Sequence, residues 1–200
     1  GVLFMAVGLG TDAALAGGLY YLVHSTLAMA AFFLLADWVR RHRDGGDALG
    51  RVAVMARAAW LGGVFLLLAM AAAGLPPFGG FLGKSLLLAY AEPQGPVVVL
   101  WAVVLGSSLV NIIALARAGS RLFWQAPVVG ASRAALPASA APRFGERVAL
   151  LLLAFGVVAT AVMASDVVNY VGGAAAQLMD AGAYRDAVLG RDPLPTTVPR

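Results

Sequence analysis

Lys84 is the residue of this sequence best placed for proton chemistry, because it is the only lysine and lies within a long apolar segment. Eight residues separate it from Glu92, or about 12 Å along a helix, which places it well inside a bilayer. A lysine at such a depth is costly and usually faces a water-filled cavity or a partner group. Its charge then depends on its neighbours, as a proton relay requires. The alternative is a side chain that extends to the outer interface.

His24 is the second candidate for proton transfer, since it lies near the middle of the apolar segment 13–39. Imidazole changes its charge near neutral pH and can pass a proton between its two nitrogens. Tyr20 lies one turn earlier, and Ser25 adds a nearby hydroxyl group. The alternative is a histidine that donates a single hydrogen bond across a helix interface.

The apolar stretch 53–92 is interrupted in the middle by a segment rich in proline and glycine. Two consecutive prolines remove two backbone donors and clash with the preceding helical turn. At membrane depth, non-helical backbone occurs only inside protein or along a water-filled cavity, and helix ends of this kind bind ions in transporters. We therefore predict a broken helix with a functional site; a simple kink, or two short helices meeting at a surface loop, is the alternative. Its defining residues are Gly74, Pro76, Pro77, Gly79 and Gly80.

Ser107, Ser108 and Asn111 form a polar cluster on the next apolar segment, and Ser107 and Asn111, four residues apart, share a helix face. They are candidates for the polar lining of a proton path, or for hydrogen bonds between helices. The centres of the predicted spans contain no acidic residue. A carboxylate partner for Lys84 is therefore not expected on these helices.

The overall composition indicates which elements hold these residues. The chain is 61% hydrophobic and 12% charged, with a mean hydropathy of +0.86, whereas soluble domains carry about 25% charged residues. The apolar residues form separate runs long enough to cross a bilayer as helices, which takes about 20 residues each. They do not alternate with polar residues as strands of a membrane barrel do. We predict an all-α fold, a polytopic transmembrane helix bundle with one helix broken at Pro-Pro.

The predicted transmembrane region is 1–171, followed by an amphipathic and flexible tail at 172–200. The sequence starts at Gly1 inside an apolar run, without a charged segment before it. We therefore expect that this run is not a signal peptide and that the sequence is a piece of a longer chain. The predicted elements are a helix end at 1–9 and spans at 13–39, 53–92 (broken at 74–80), 96–124 and 147–171.

The positive charges predict the orientation of the spans in the membrane. Thirteen of the 14 basic residues are arginines, and most of them flank the loops 40–52 and 125–146. Loops enriched in arginine lie on the cytoplasmic side. Both loops are therefore predicted to be cytoplasmic and the C-terminus external. This distribution between apolar runs argues against binding of nucleic acid.

The sequence contains no motif of a soluble enzyme. It has no phosphate-binding loop, dinucleotide fingerprint or HExxH motif, and no cysteine. We expect no cofactor and no metal, and a transporter subunit in contact with the lipid bilayer rather than an enzyme.

Two strings resemble a known family. AGLPPFGGFLGKSLLL (73–88) is similar to the broken-helix motif of the antiporter-like membrane subunits of complex I, of membrane-bound hydrogenases and of multi-subunit Mrp-type cation/proton antiporters. LYYLVHSTLAMAAFFLLAD (19–37) resembles the preceding helix of these subunits, in a form closest to that of the Mrp D subunit. The motifs occur in the same order as in the family and one helix apart. The resemblance covers nearly all of the chain.

The resemblance implies a function and partners. Lys84 and His24 fall on the lysine and histidine of the family's proton path. The implied function is proton translocation coupled to Na⁺ or K⁺ movement, together with other membrane subunits of a hetero-oligomeric complex in a bacterial cytoplasmic membrane. Met29 departs from the family, in which many members carry a second lysine, so we expect His24 to act alone or with water. The first half of the path is expected to lie outside this chain, which should be inactive alone.

Two other functions fit the same motifs. The chain could belong to a proton-pumping subunit of a quinone oxidoreductase or hydrogenase, in which redox chemistry rather than a cation gradient drives the protons. It could also be a mainly structural membrane subunit, in which case Lys84 and His24 would be dispensable.

Overall fold

The computed structural model describes residues 1–42, 58–89, 97–124 and 144–190, and these residues form helices joined by short turns. The predicted loops 40–52 and 125–146 lie mostly outside the described residues, as does the end of the predicted tail, 191–200. The helices are α1 (Val2–Leu9), α2 (Asp12–His42), α3 (Ala58–Ala73), α4 (Gly79–Ala89), α5 (Val97–Gly119), α6 (Phe144–Val162), α7 (Ala164–Met179) and α8 (Ala181–Leu189). A π-helical turn, Ser120–Trp124, extends α5.

Three of these helices are long and apolar enough to cross a membrane, namely those over Asp12–Arg41, Val97–Phe123 and Phe144–Val162. Helices α3 and α4 have 16 and 11 residues, each short of the roughly 20 residues that a span requires. They reach that length only together, with the Pro-Pro segment between them. The chain is thus a helical membrane protein with a broken helix.

Helix α2 is the centre of the bundle and packs against α1, α3, α4, α6 and α7. Its buried residues recur at helical spacing and meet apolar side chains of α3 and α6. The α2 residues of the core cluster shared with α3 and α6 are Ala28, Ala31, Leu35 and Trp38. Helix α5 packs mainly on α3, and most of its side chains are exposed, as expected of a helix at the edge of a bundle.

Two glycines allow α2 and α4 to lie close together. A Cβ atom on Gly83 would come within 2.9 Å of the Tyr21 Cβ, and one on Gly17 within 2.9 Å of the Leu87 backbone nitrogen. In a bilayer, helices associate by close packing of small residues rather than by the hydrophobic effect. This contact brings Tyr20 and His24 of α2 beside the start of α4.

Arg41 joins the ends of α2 and α6. Its guanidinium group lies 2.8 Å from Asp37 Oδ2 on its own helix and 2.8 Å from Glu146 Oε2 at the start of α6. Further along, Tyr20 and His24 contact Thr160 near the end of α6. The two helices are therefore antiparallel, and α6 carries Thr160 to the depth of His24.

The predicted span 147–171 differs from the structure. It is divided at Met163, which has φ −96° and ψ 28°, outside the helical region, and α7 then continues to Met179. Val171 and Ala175 of α7 are buried, and α7 packs on α2. Hydropathy averages over many residues and therefore cannot locate a departure from helical geometry at one residue.

Candidate functional site

Helix α3 ends in a tight turn just before the two prolines. Gly74 has φ +80°, a conformation that favours glycine. The Leu75 amide donates to the Met70 carbonyl at 3.1 Å, and the Gly74 amide donates to the Ala71 carbonyl at 3.2 Å. This is the Schellman arrangement of a helix C-terminus. Because the chain cannot continue as a helix, the last carbonyls of α3 need other donors.

Side chains from three different helices supply those donors. His24 Nε2 on α2 lies 3.2 Å from the Ala71 carbonyl oxygen. Asn111 Nδ2 on α5 donates to the Ala72 carbonyl oxygen at 3.1 Å. Lys84 Nζ on α4 donates to the Ala73 carbonyl oxygen at 3.2 Å. We call these three carbonyls and three side chains the break cluster.

Lys84 has further neighbours suited to a group that changes its charge. It is half-buried and also donates to Ser108 Oγ at 2.9 Å. Its Nζ lies 6.0 Å from the centre of the Tyr21 ring, whose face attracts a cation. Within the described parts of the chain it forms no ion pair with a carboxylate. Neutral dipoles therefore surround the amine, and these hold either charge form without a fixed counter-ion.

His24 is 1% exposed and has a partner at each ring nitrogen. The Ala71 carbonyl can only accept, so Nε2 carries a proton. Nδ1 lies 3.1 Å from Thr160 Oγ1, and that hydroxyl donates to the Val157 carbonyl at 2.8 Å. When the Thr160 hydroxyl donates to Val157, Nδ1 can donate to Thr160, which suits the doubly protonated ring. Rotation of the Thr160 hydroxyl toward Nδ1 suits the neutral ring. The site thus accommodates both charge forms by the rotation of one hydroxyl group.

Tyr20 holds this part of the site together. Its hydroxyl donates to the Thr160 backbone carbonyl at 2.6 Å, and its side chain is 1% exposed. The bond joins α2 to α6 one turn from His24. It fixes the position of Thr160 and therefore the polar environment of the His24 Nδ1.

Two glycines leave the space that the break cluster occupies. A Cβ atom on Gly80 would lie 2.5 Å from the Ala71 carbonyl oxygen, and one on Gly79 would lie 2.8 Å from His24 Nδ1. The start of α4 therefore needs glycine because the imidazole and the end of α3 approach it so closely. Any larger residue would displace His24 or separate the two half-helices.

The structure brings together most of the predicted site residues. Lys84, His24, Asn111 and Tyr20 meet around the break. The Ser25 hydroxyl instead donates to the Leu22 carbonyl of its own helix, and that of Ser107 to the Val104 carbonyl. These two serines do not reach the break cluster.

Sequence reasoning placed Ser108 in the polar cluster but selected its neighbour Ser107 as a lining residue, and it missed Thr160. Ser108, next to the selected Ser107, is the one that contacts Lys84. Thr160 stands alone in an apolar run, and nothing in its neighbourhood marks it as a partner of His24. Ser108 is three residues from Asn111, which is also a helix-face spacing, so a helix-face argument could equally have selected Ser108. The role of Thr160 follows only from the packing of α6 on α2.

Comparison with known proteins identifies the family. Residues 1–110 match the family described as "NADH:quinone oxidoreductase/Mrp antiporter, TM". This part of the chain contains α1 to α4 and most of α5. It therefore includes every residue of the break cluster except Asn111, which follows directly.

Two relatives are subunits of cation/proton antiporters. The chain is 38% identical to the D subunit of a probable K(+)/H(+) antiporter of Rhizobium meliloti, over 62% of this chain and 28% of the relative. It is 30% identical to the D subunit of a Na(+)/H(+) antiporter of Alkalihalophilus pseudofirmus, over 62% of this chain and 25% of the relative. The chain thus spans about a quarter of the length of the curated relatives that it matches.

A solved structure has the same fold. The Mrp complex from Dietzia sp. DQ12-45-1b contains a chain that superposes with a TM-score of 0.75 at 23% identity, covering 94% of this chain and 42% of that one. The likeness in fold therefore extends over nearly all of this chain. With more than half of its residues matched by the family, this chain belongs to the NADH:quinone oxidoreductase/Mrp antiporter transmembrane family.

Proposed function

We propose that this chain is part of a membrane subunit of a multi-subunit Na⁺(K⁺)/H⁺ antiporter, and that it conducts protons through Lys84 and His24. The observation that carries the proposal is the break cluster. An amine and an imidazole from two helices donate to carbonyls two residues apart, at the end of a half-helix, inside an apolar bundle. Ionisable groups inside a membrane are costly and rare, and they usually mark an ion or proton path.

Protons would move between Lys84 and His24 by way of water or a side-chain movement, since a carbonyl oxygen accepts a hydrogen bond but passes no proton on. The loss of a proton from Lys84 weakens its hold on the Ala73 carbonyl and on Ser108. The arrival of a proton at His24 turns the Thr160 hydroxyl back to the Val157 carbonyl. Tyr20 and Asn111 would hold the helices around this proton path in place. The path would pass Gly79 and Gly80 at the start of α4.

The proposed setting is a complex in a bacterial cytoplasmic membrane. The relatives named as antiporter subunits and the Mrp complex of similar fold support partner subunits in the membrane. We place the arginine-rich loops 40–52 and 125–146 on the cytoplasmic side and the C-terminus outside, from their charge. The cations exchanged for protons are Na⁺ or K⁺, the two that the names of the relatives contain.

The second candidate is a redox-driven proton pump. It is favoured by the family description, which joins NADH:quinone oxidoreductases with Mrp antiporters. The same break cluster would serve it, because the proton path is independent of what drives it. The antiporter and the redox-driven pump differ in the source of energy that moves the protons.

The test uses everted vesicles that contain the complete parent complex and carry an imposed pH gradient, without any respiratory substrate. We expect added Na⁺ or K⁺ to dissipate the gradient, measured by a fluorescent pH indicator, and vesicles that lack the complex to respond much less. Proton movement that occurs only with NADH and ignores both cations would overturn the antiporter proposal in favour of the redox pump.

The adjacent serines of α5 provide a matched pair for the role of Lys84. Ser108→Ala removes the acceptor 2.9 Å from Nζ, whereas Ser107→Ala removes only a bond within its own helix. A hydrogen bond to a charged group contributes about 1.5–3 kcal/mol. We therefore expect Ser108→Ala to slow cation-driven exchange several-fold and Ser107→Ala to change it less than two-fold. Equal rates in the two variants would show that Lys84 does not depend on Ser108.

A further inference from the structure

A groove between α3 and α5 lies beside the break cluster and is lined by none of its three donor side chains. It encloses about 130 Å³ and is apolar, with walls that include Phe65, Ala69 and Ala73 on one side and Ile112, Leu115 and Ala116 on the other. From Phe65 to Ala73 it follows α3 for about 12 Å at 1.5 Å per residue. Its apolar walls and its length suit part of a hydrocarbon chain.

A basic cleft adjoins one end of this groove. It is shallow and wide open, measures about 380 Å³, and is lined among the described residues by Ala116, Arg117, Ser120 and Arg121, all from α5 and the turn that extends it. The two arginines are exposed, four residues apart, at the point where α5 passes into the π-helical turn. Two guanidinium groups and a hydroxyl are the donors that hold a phosphate group. Local π-helical geometry is frequent at functional sites.

Ala116 lines both cavities, so the groove and the cleft are adjacent. Helices α3 and α5 are antiparallel, since Gly62 meets Phe123 near one end and Ala72 meets Asn111 near the break. The basic cleft therefore lies at the end of the helix pair, and the groove runs from it toward the break. Positive charge at a span end with an apolar channel leading inward matches a lipid, whose phosphate and hydrocarbon chain are joined in that order.

We propose that the groove and the cleft together bind one anionic phospholipid, with the phosphate at Arg117, Ser120 and Arg121 and an acyl chain between α3 and α5. A free phosphate would use only the cleft and leave the apolar groove unfilled. A helix of another subunit would fill the groove but would not need two arginines beside a hydroxyl. The anionic lipid uses both features.

The acyl chain would reach the wall of the break cluster. Ala73 and Leu75 line the inner end of the groove, and the Ala73 carbonyl accepts the hydrogen bond from Lys84. A lipid in the groove would pack against the backbone that holds Lys84. Binding of the lipid should therefore stiffen the end of α3.

The test measures lipid binding by the complete parent complex in detergent, with native mass spectrometry after titration with phosphatidylglycerol or phosphatidylcholine. The variant Arg117→Gln/Arg121→Gln removes both charges of the cleft. The control Arg147→Gln/Arg185→Gln removes two exposed arginines on α6 and α8. A second variant, Ala116→Trp, blocks the groove and leaves the charges.

We expect the cleft variant to lose one bound phosphatidylglycerol per complex, with at least a five-fold weaker affinity, and the control to change less than two-fold. Ala116→Trp should weaken the same binding, and phosphatidylcholine should bind at least five-fold more weakly to the wild type. The proposal is overturned by equal binding of the two lipids, by complete competition from inorganic phosphate, or by an unchanged affinity in both variants. Cross-linking of Ala116→Cys to another subunit with no lipid retained would assign the groove to a protein partner instead.

Discussion

Replacing Lys84 with methionine in the complete parent complex is expected to reduce cation-driven proton exchange at least ten-fold while the complex still assembles. Methionine has a similar length and adapts to irregular space, but it neither donates to the Ala73 carbonyl and Ser108 nor carries a proton. Alanine in the same position should have the same effect on exchange. The measurement is the rate of pH-gradient dissipation by Na⁺ or K⁺ in everted vesicles, normalised to the amount of assembled complex.

Lys84→Arg separates proton transfer from charge alone. Arginine keeps the positive charge and the hydrogen-bond donors but does not release its proton under physiological conditions. If Lys84 carries protons, this variant should also lose exchange, although its thermal stability should remain closer to that of the wild type than that of Lys84→Met. Exchange at the wild-type rate in Lys84→Arg would mean that the residue supplies a fixed charge. Normal exchange in a variant that lacks both Lys84 and His24 would favour a structural subunit.

The second large effect is expected at Gly80, where alanine should destabilise the protein. Its Cβ atom would lie 2.5 Å from the Ala71 carbonyl oxygen and 3.1 Å from His24 Nε2. The first neighbour is backbone and cannot move without shifting the end of α3. Crowding of this kind in a packed interior costs about 1–3 kcal/mol, and it would also break the bond between His24 and Ala71. We expect a fall of several degrees in the unfolding temperature of the parent complex in detergent, together with a loss of exchange.

Gly63→Ala is the matched control, since it makes the same change in the adjoining half-helix. A Cβ atom at Gly63 would meet nothing within 4 Å. In open space, alanine stabilises a helix relative to glycine by about 0.4–1 kcal/mol. Its unfolding temperature should therefore equal or exceed that of the wild type. Equal unfolding temperatures for Gly80→Ala and Gly63→Ala would contradict the close contact between the half-helices.

Much of the fold could be predicted from local composition. A bilayer tolerates only satisfied backbone, so long apolar runs must be helices and a Pro-Pro segment between two short runs must be a break. The same reasoning identified Lys84 and His24, because an ionisable residue inside an apolar run is conspicuous whatever the helix packs against. The observed elements follow this organisation, and the division at Met163 is the main departure.

The hydrogen-bond partners depended on tertiary structure. Ser107 and Ser108 are adjacent and chemically identical, and only the rotation of α5 against α3 and α4 directs Ser108 toward Lys84. Thr160 lies 136 residues from His24 in sequence, and the antiparallel packing of α6 on α2 brings the two together. Periodicity shows which residues share a helix face but not which neighbour that face meets.

The sequence by itself determined that this is a helical membrane protein with a broken helix and two ionisable groups at depth, since lipid imposes that outcome on each apolar segment separately. Only the tertiary structure decided that both groups meet the end of the same half-helix, at the Ala71 and Ala73 carbonyls, with Asn111 between them at Ala72. The physical reason is that the broken end of α3 leaves its carbonyls in need of donors. Which side chains satisfy them depends on the packing of four helices at once, and no single segment encodes that packing.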